Sequence, residues 1–273
     1  MLATDFEYDG QKLSDFGMVI CDFNSSSGTE EISVGSTITF NTVSRHFGKK
    51  YGLPSTQYDE CIETSFSICK DPDIYDDLEL TSAEVHDLIR WLNRREFLKM
   101  QFLYEDDVNI NRKVCYYDAS FNISKVTIGS HLYGITVDMI TNRPFGYGDE
   151  ISVTIDASDI TASYTITDES EEIGYIYPDI TITCGSSGDL SIVNKTESCE
   201  LEILNCEEGE IITIDGDAHI ISSSVSGHEL YDDFNFDFLK ISNTYDNQEN
   251  NITVSLPCII EITYTPIIKD TPD

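Results

Sequence analysis

The second half of the chain constrains the fold most, because strand-like segments follow one another there without a helical interruption. Between residues 151 and 264, alternating apolar residues form short runs that recur about every 8–12 residues. Turn sequences separate the runs, as at Gly188–Asp189, Glu208–Gly209 and Asp215–Gly216. Such a series predicts an antiparallel β-sandwich, and the absence of a fixed-period repeat argues against a solenoid or propeller.

The first half mixes strands with one helix. The segment FEYDGQKLSDFGMVI alternates, turns at Asp9–Gly10 and resumes an apolar run, which predicts a hairpin with a tight glycine turn. A capping-box pattern at Thr81 and Glu84 predicts a helix from Ser82 to about Arg95. Its apolar stripe is predicted to contain Val85, Leu88, Ile89 and Leu92. Trp91, the only tryptophan, flanks this stripe and is assigned to the core.

A basic and aromatic segment, RHFGKKYGLP, stands out in a chain that is otherwise short of positive charge. Alternating stretches at residues 32–40 and 62–68 flank it, so we predict one long hairpin between Glu31 and Lys70 with a cationic tip. A contact with an acidic neighbouring subunit, a solvated loop tip and a nucleic-acid contact all remain open for this tip. The candidate subunit-interface residues are Arg45, Phe47, Lys49, Lys50 and Tyr51.

The charge of the chain argues against sequence-specific DNA binding. With 50 acidic and 16 basic residues among 273, the formal net charge is −34, whereas duplex binding depends on Lys and Arg. The charge is also uneven, because residues 1–146 carry 23 acidic and 13 basic side chains and residues 147–273 carry 27 and 3. The shift coincides with a Pro- and Gly-rich segment, so two domains are predicted, 1–148 and 149–273.

No catalytic or metal-binding constellation emerges from the sequence. The eight cysteines include no CxxC pair, and the five histidines include no HExxH motif. The acidic segment Asp71–Asp77 lacks the glycine and glutamate of an EF-hand loop. We therefore expect no catalytic residues, no cofactor and no metal, and we expect that the protein is not an enzyme. No signal peptide or membrane-length apolar run is recognised, which leads us to expect folding in a reducing cytoplasm.

An ordered set of segments resembles the distal tail proteins (Dit) of long-tailed bacteriophages, the hub subunits at the tip of siphophage tails. In the first half they are FEYDGQKLSDFGMVI, RHFGKKYGLPSTQYDE, TSAEVHDLIRWLNRREFLKMQFLYEDD and NRPFGYGDE. From IGYIYPDITITCGSSGDLSIVNKTESCELEIL onward, the second half is similar to the galectin-like sandwich of the same proteins. The order and combination of these segments carry the resemblance, because each one alone is a loose motif.

The resemblance implies a mainly β protein. Its N-terminal domain would be β-sandwich or barrel-like with one α-helix and a long hairpin arm, and its C-terminal domain would be a galectin-like antiparallel β-sandwich. The implied assembly is a homo-hexameric, ring-forming hub at the virion tail tip, synthesised in the bacterial host cytoplasm. The implied partners are the tail tube protein, a tail-associated lysin or tail fibre protein, and a receptor-binding protein, with no specific nucleic-acid binding and no membrane association.

Two alternative functions stay open beside the hub. One is a carbohydrate-binding adhesion module that recognises the host cell surface, and the other is a hydrolase of cell-wall glycan. The resemblance fits an infectious phage as well as a tail-derived particle. Galectin-like topology alone does not imply sugar binding, because function belongs to a site rather than to a fold.

Overall fold

The computed structural model describes residues 3–23, 37–43, 52–58, 61–104 and 113–269. The chain divides into two compact units. Unit 1 runs to Tyr147 and includes the segment from Ile268, and unit 2 spans Gly148–Ile267. Antiparallel strands dominate both units, which confirms the predicted fold class.

Unit 1 is built on one sheet and one α-helix. Its helices are the 3-10 helix Leu13–Phe16 and α1, Ser82–Leu92. Its strands are β1 Asp5–Tyr8, β2 Gln11–Lys12, β3 Met18–Cys21, β4 Ile38–Val43, β5 Gly52–Tyr58, β6 Glu63–Lys70, β7 Leu98–Leu103, β8 Tyr117–Ile128, β9 His131–Thr141 and β10 Gly146–Tyr147. Seven of them form a sheet in the order β2-β1-β7-β8-β9-β6-β3, and β4 and β5 form a separate ribbon.

The predicted N-terminal turn at Asp9–Gly10 is confirmed, but the second strand of the hairpin is only Gln11–Lys12, and the apolar run Met18–Cys21 pairs with β6 instead. Strands β1 and β2 pair with Tyr8 opposite Gln11, and Asp9 and Gly10 form the turn with φ angles of 52° and 73°. Two consecutive left-handed residues are the geometry of a type I′ turn, which Asp-Gly favours because glycine has no Cβ to clash. The turn therefore follows directly from the local sequence.

Helix α1 begins as predicted but ends earlier, at Leu92. The Thr81 side chain accepts a hydrogen bond from the Glu84 backbone N–H, and Glu84 accepts one from the Thr81 N–H, so the capping box is confirmed. The prediction for Ile89 was wrong, because this side chain is 40% exposed, whereas Trp91 is buried. The buried stripe of α1 therefore consists of Val85, Leu88, Trp91 and Leu92, with Trp91 in place of the predicted Ile89.

An aromatic cluster fills the core beneath α1. Trp91 stacks on Phe6 at 5.3 Å and on Phe16 at 4.6 Å between ring centroids, and its indole N–H donates to the Tyr8 carbonyl oxygen at 3.1 Å. The Tyr8 ring meets Phe121 edge to face at 4.7 Å. The assignment of Trp91 to the core is confirmed, since its packing leaves it 4% exposed.

The Tyr8 hydroxyl is a buried polar group without a partner among the described residues. We expect Tyr8→Phe to raise the free energy of unfolding of unit 1 by about 1 kcal/mol. The buried hydroxyl gives up its hydrogen bonds to water on folding and forms none with the described residues, so removing it removes a desolvation penalty. Trp91 lies in unit 1, so its fluorescence during denaturant unfolding measures this change. Tyr147→Phe is the matched control, because the Tyr147 hydroxyl donates to Asp118 at 2.8 Å. The control should destabilise unit 1, and a destabilised Tyr8→Phe would contradict the prediction.

Unit 2 is a sandwich of two antiparallel sheets. Its strands are β11 Ile151–Asp156, β12 Tyr164–Thr167, β13 Gly174–Ile176, β14 Asp179–Cys184, β15 Gly188–Asn194, β16 Cys199–Cys206, β17 Ile211–Asp215, β18 Ile220–Ser223, β19 Ile241–Asn243, β20 Glu249–Val254 and β21 Cys258–Tyr264, with β22 Ile267–Ile268 after them. The sheet orders are β11-β21-β14-β17-β18 and β12-β20-β15-β16, and β13 pairs with β19.

The alternation that predicted the sandwich is visible in its burial. In β14, Ile180, Ile182 and Cys184 face the core while the residues between them are more exposed, and β16, β17, β20 and β21 repeat this pattern. Two details differ from the prediction. A four-residue helix, α2 Leu230–Asp233, interrupts the strands, and the apolar run at Phe238–Ile241, one of those that predict strands between residues 151 and 264, forms a strand only from Ile241.

Candidate functional site

The candidate interface residues Arg45, Phe47, Lys49, Lys50 and Tyr51 lie outside the described residues, so their role stays a prediction. The strands on either side of them are described. Ile38 pairs with Tyr58, Phe40 with Thr56, and Val43 with Gly52. A hairpin therefore carries the basic segment between its two strands.

The predicted length of this hairpin was wrong. We expected the returning strand at residues 62–68, but β5 is the returning strand and β6 pairs with β3 and β9 in the main sheet. The physical reason is burial, because Phe66 and Ile68 of β6 belong to the core of unit 1 and fix β6 in the sheet.

Most of the described side chains of the ribbon of β4 and β5 are exposed, on both of its faces. Residues 37–41 and 55–57 are all exposed, and the apolar side chains of Ile38 and Phe40 are 42% and 60% exposed. These two side chains lie on the same face, because strand residues two apart point the same way. An isolated two-stranded hairpin is marginally stable in water. This ribbon therefore presents an apolar face that another protein surface would stabilise.

The base of the ribbon is anchored by a small aromatic and cationic cluster within unit 1. Tyr58, at the end of β5, meets Phe145 edge to face at 4.6 Å between centroids. The Lys269 ammonium lies 5.6 Å from the Tyr58 ring and 5.5 Å from the Phe145 ring, and Nζ donates to the Tyr58 hydroxyl at 3.3 Å. Sequence reasoning placed Phe145 in the segment NRPFGYGDE but missed Lys269, because no local pattern links positions 58 and 269.

A buried ion pair is the main electrostatic feature of unit 2. The Glu210 and His228 side chains are 0% and 3% exposed, and Glu210 Oε1 lies 2.6 Å from His228 Nδ1. His228 Nε2 lies 2.9 Å from the Leu204 carbonyl oxygen and 3.5 Å from an Asp233 carboxylate oxygen. Both ring nitrogens face acceptors, an arrangement that favours a proton on each and hence the imidazolium form.

The pKa values of the pair agree with this assignment. Burial disfavours the charged imidazolium, but the hydrogen bond and charge of Glu210 outweigh it and raise the pKa of His228. Burial would also raise the pKa of Glu210, but hydrogen bonds from Ser223 and His228 lower it. Ser223 donates to Glu210 rather than to His228, so these three residues do not form a nucleophile and base pair. The contacts of this cluster connect β16, the residue before β17, the end of β18 and helix α2.

Two further kinds of site are absent from the part of the chain that the structure describes. No group of three or more His, Cys, Asp or Glu side chains is placed there to hold a metal ion. None of the described helices combines the length and apolar character needed to cross a membrane. The described strands β4 and β5 flank the basic segment that the sequence marks as an interface candidate.

Models of two phage tail domains match the chain. The phage tail protein N-terminal domain matches residues 1–143, and the phage tail C-terminal domain matches residues 145–264. A relative in Bacillus subtilis strain 168, the SPbeta prophage-derived uncharacterized protein YomH, is 24% identical over 195 residues, which are 70% of this chain and 71% of that protein.

A solved structure agrees with these matches. The SPP1 Dit protein (gp 19.1), whose structure is described as a paradigm of the hub adsorption apparatus in phages that infect Gram-positive bacteria, is similar with a TM-score of 0.65. The match covers 96% of this chain and 98% of the Dit chain at 13% identity, so it establishes the fold. Because the N-terminal domain model alone covers more than half of the sequence, the chain belongs to this family of phage tail proteins and is a virion tail component with the Dit fold.

Proposed function

We propose that this protein is a distal tail protein that assembles into a six-membered ring and joins the tail tube to the tip of the phage tail. The observation that supports this proposal most is the correspondence with the SPP1 Dit hub protein over nearly the whole of both chains. Its role is structural: unit 1 closes the ring, and unit 2 holds tail fibre or receptor-binding proteins.

The exposed ribbon supports ring closure through unit 1. Among the described strands, β4 and β5 pair only with each other, and Ile38 and Phe40 form an uncovered apolar face. Burying such side chains against a neighbouring subunit would contribute about 1.5–3 kcal/mol for each fully buried side chain. The basic segment between the strands would meet a neighbour that is acidic, because every copy carries a net charge of −34.

Imaging of the purified full chain tests the proposal. Negative-stain class averages should show rings of six, and mass photometry should give six times the monomer mass of 30.7 kDa. The double variant Ile38→Asp, Phe40→Asp should leave a folded monomer, because charges on the apolar face oppose its burial. Both side chains are exposed in the single chain, so folding itself should be unaffected.

The matched control adds the same two charges to the opposite face of β4. Thr37 and Thr39 are exposed and alternate with Ile38 and Phe40, so Thr37→Asp, Thr39→Asp should retain the ring. A wild-type chain that stays monomeric at all concentrations would overturn the proposed ring for the isolated protein. Rings that persist in the Ile38→Asp, Phe40→Asp variant would remove the ribbon from the interface.

A further inference from the structure

Unit 2 exposes a pair of aromatic rings beside helix α2. Tyr231, in α2, is 81% exposed and Phe236 is 56% exposed, and their rings meet edge to face at 5.7 Å between centroids. The Phe236 ring also lies 5.3 Å from Phe234, which is 4% exposed and belongs to the core. The aromatic pair is therefore attached to the core through Phe234 rather than carried on a free loop.

The backbone that presents Phe236 is held in an unfavourable conformation. Phe236 has a φ of 58°, in the left-handed region, which costs a bulky residue about 1–2 kcal/mol. The preceding Asn235 holds this conformation by donating its backbone N–H to the Glu202 carbonyl oxygen at 3.1 Å and its side-chain amide to the Glu200 carbonyl oxygen at 2.7 Å. Asp237 completes the frame by accepting from the Glu200 N–H at 3.3 Å. The ring is thus held rigidly outward by the adjoining strand β16.

Exposed carboxylates lie close to the aromatic pair along the chain and on the adjoining strand β16. Glu229 and Asp232 flank Tyr231 and are exposed, and Glu200 and Glu202 are exposed on the strand that holds Asn235. Residues 196–239 contain twelve acidic residues and no lysine or arginine. The surface therefore combines flat apolar rings with an excess of negative charge, because His228 of this stretch pairs with the buried Glu210 and not with the exposed carboxylates.

We infer that this surface, the Tyr231–Phe236 patch, docks an arginine-bearing basic segment of another tail protein. Guanidinium groups stack on aromatic faces and pair with carboxylates at the same time, so they match both features of the patch. Rigid aromatic side chains are frequent binding hot spots, because little conformational freedom is lost when they are buried. A neutral ligand such as an oligosaccharide would stack on the aromatic rings, but the net negative charge around them would not add to its affinity.

The inference rests on the proposed function only in assuming that a tail hub has protein partners. The test of this inference measures peptide binding to the full chain, whereas the test of the proposed function measures particle mass. Either proposal can therefore fail while the other one holds. The probe is an acetylated, amidated hexa-arginine peptide titrated by calorimetry at two salt concentrations. Hexalysine and a panel of neutral oligosaccharides are titrated in parallel.

The chain offers a matched pair of variants, because the dipeptide Tyr-Asp occurs twice in unit 2, at 231–232 and at 245–246. Both copies are exposed, and Tyr245 is 90% exposed. We expect Tyr231→Ser, Asp232→Asn to weaken hexa-arginine binding about tenfold or more, as loss of a hot spot does. Tyr245→Ser, Asp246→Asn removes the same groups elsewhere and should change binding less than about twofold.

A further variant tests the ring of Phe236 without disturbing the backbone. Asparagine tolerates the left-handed region, so Phe236→Asn should keep the fold and still weaken hexa-arginine binding. Hexalysine should bind more weakly than hexa-arginine, because it lacks the planar group that stacks. Equal losses in the two Tyr-Asp variants would overturn the inference, because binding would then follow net charge alone. Oligosaccharide binding at the patch without hexa-arginine binding would overturn it in favour of a sugar site.

Discussion

Glu210→Ala is expected to lower the free energy of unfolding of unit 2 by about 3–5 kcal/mol, which is the usual effect of removing one partner of a buried ion pair. The variant would leave the His228 imidazolium, whose side chain is 3% exposed, without its carboxylate. The backbone N–H of Glu207 and the hydroxyl of Ser223 would lose the same acceptor. Such a loss is a large share of the stability of a typical domain.

The two units can be followed separately in one experiment. The only tryptophan lies in unit 1, so Trp91 fluorescence reports unit 1 while far-UV circular dichroism reports both units. Glu210→Ala should shift the circular dichroism transition to lower denaturant and leave the fluorescence transition in place. Glu208→Ala, at an exposed position two residues away, is the control and should change little. Equal effects of the two variants would show that the ion pair does not stabilise unit 2.

The same pair makes the stability of unit 2 depend on pH. The pKa of His228 is raised above its ordinary value of 6.5, so its contribution is complete below that value and is lost as the pH rises through the raised pKa. The pKa of Glu210 is lowered below 4.5, so its contribution is complete above that value and is lost as the pH falls through the lowered pKa. The wild type should therefore lose stability on the alkaline side, and Glu210→Ala should lose that dependence.

Local patterns predicted the elements that depend on local chemistry. The capping box of α1 and the Asp9–Gly10 turn involve neighbouring residues, and the sandwich of unit 2 follows from a two-residue alternation that survives in its burial. The position of Trp91 was predicted for the same reason, since a tryptophan beside an apolar stripe has few other places to pack.

The sequence-based predictions were wrong in segments whose side chains are exposed or whose backbone is strained. Strand β5, GLPSTQY, lacks an apolar alternation because residues 55–57 are exposed, so the sequence could not identify it as the returning strand of the hairpin. The other error is the short helix α2 within the predicted series of strands, which is followed by a bend at the left-handed Phe236. The tertiary partners of Asn235 on β16 impose this bend, and they are more than thirty residues away in sequence.

The candidate site was only partly predictable for a related reason. The cationic character of residues 45–51 is visible in the composition, whereas the pairing of Glu210 with His228 and of Tyr58 with Lys269 depends on how distant segments meet. Neither pair has a spacing that a motif could encode. Charge clusters can therefore be read from a sequence, while buried ion pairs must be read from the fold.

Arg45→Glu, Lys49→Glu, Lys50→Glu is expected to abolish the six-membered ring and leave a folded monomer. Each substitution changes the charge by two, so the net charge of a subunit falls from −34 to −40. The reversed segment would face the acidic surface of the neighbouring subunit, and like charges brought together across an interface cost several kcal/mol. Wild-type rings should also weaken as salt increases, because the screening length falls to about 8 Å at physiological ionic strength.

A second triple variant distinguishes an effect of where the charges are reversed from an effect of the total change in net charge. Lys12, Arg95 and Lys125 are exposed basic residues elsewhere in unit 1, and replacing them with Glu gives the same net charge of −40, again two per substitution from −34. Mass photometry should show rings for this control and monomers for the variant of the basic segment. If both triple variants form rings at every salt concentration while Ile38→Asp, Phe40→Asp remains monomeric, the apolar face of the ribbon closes the ring. The basic segment would then be free to bind a different acidic surface of the tail.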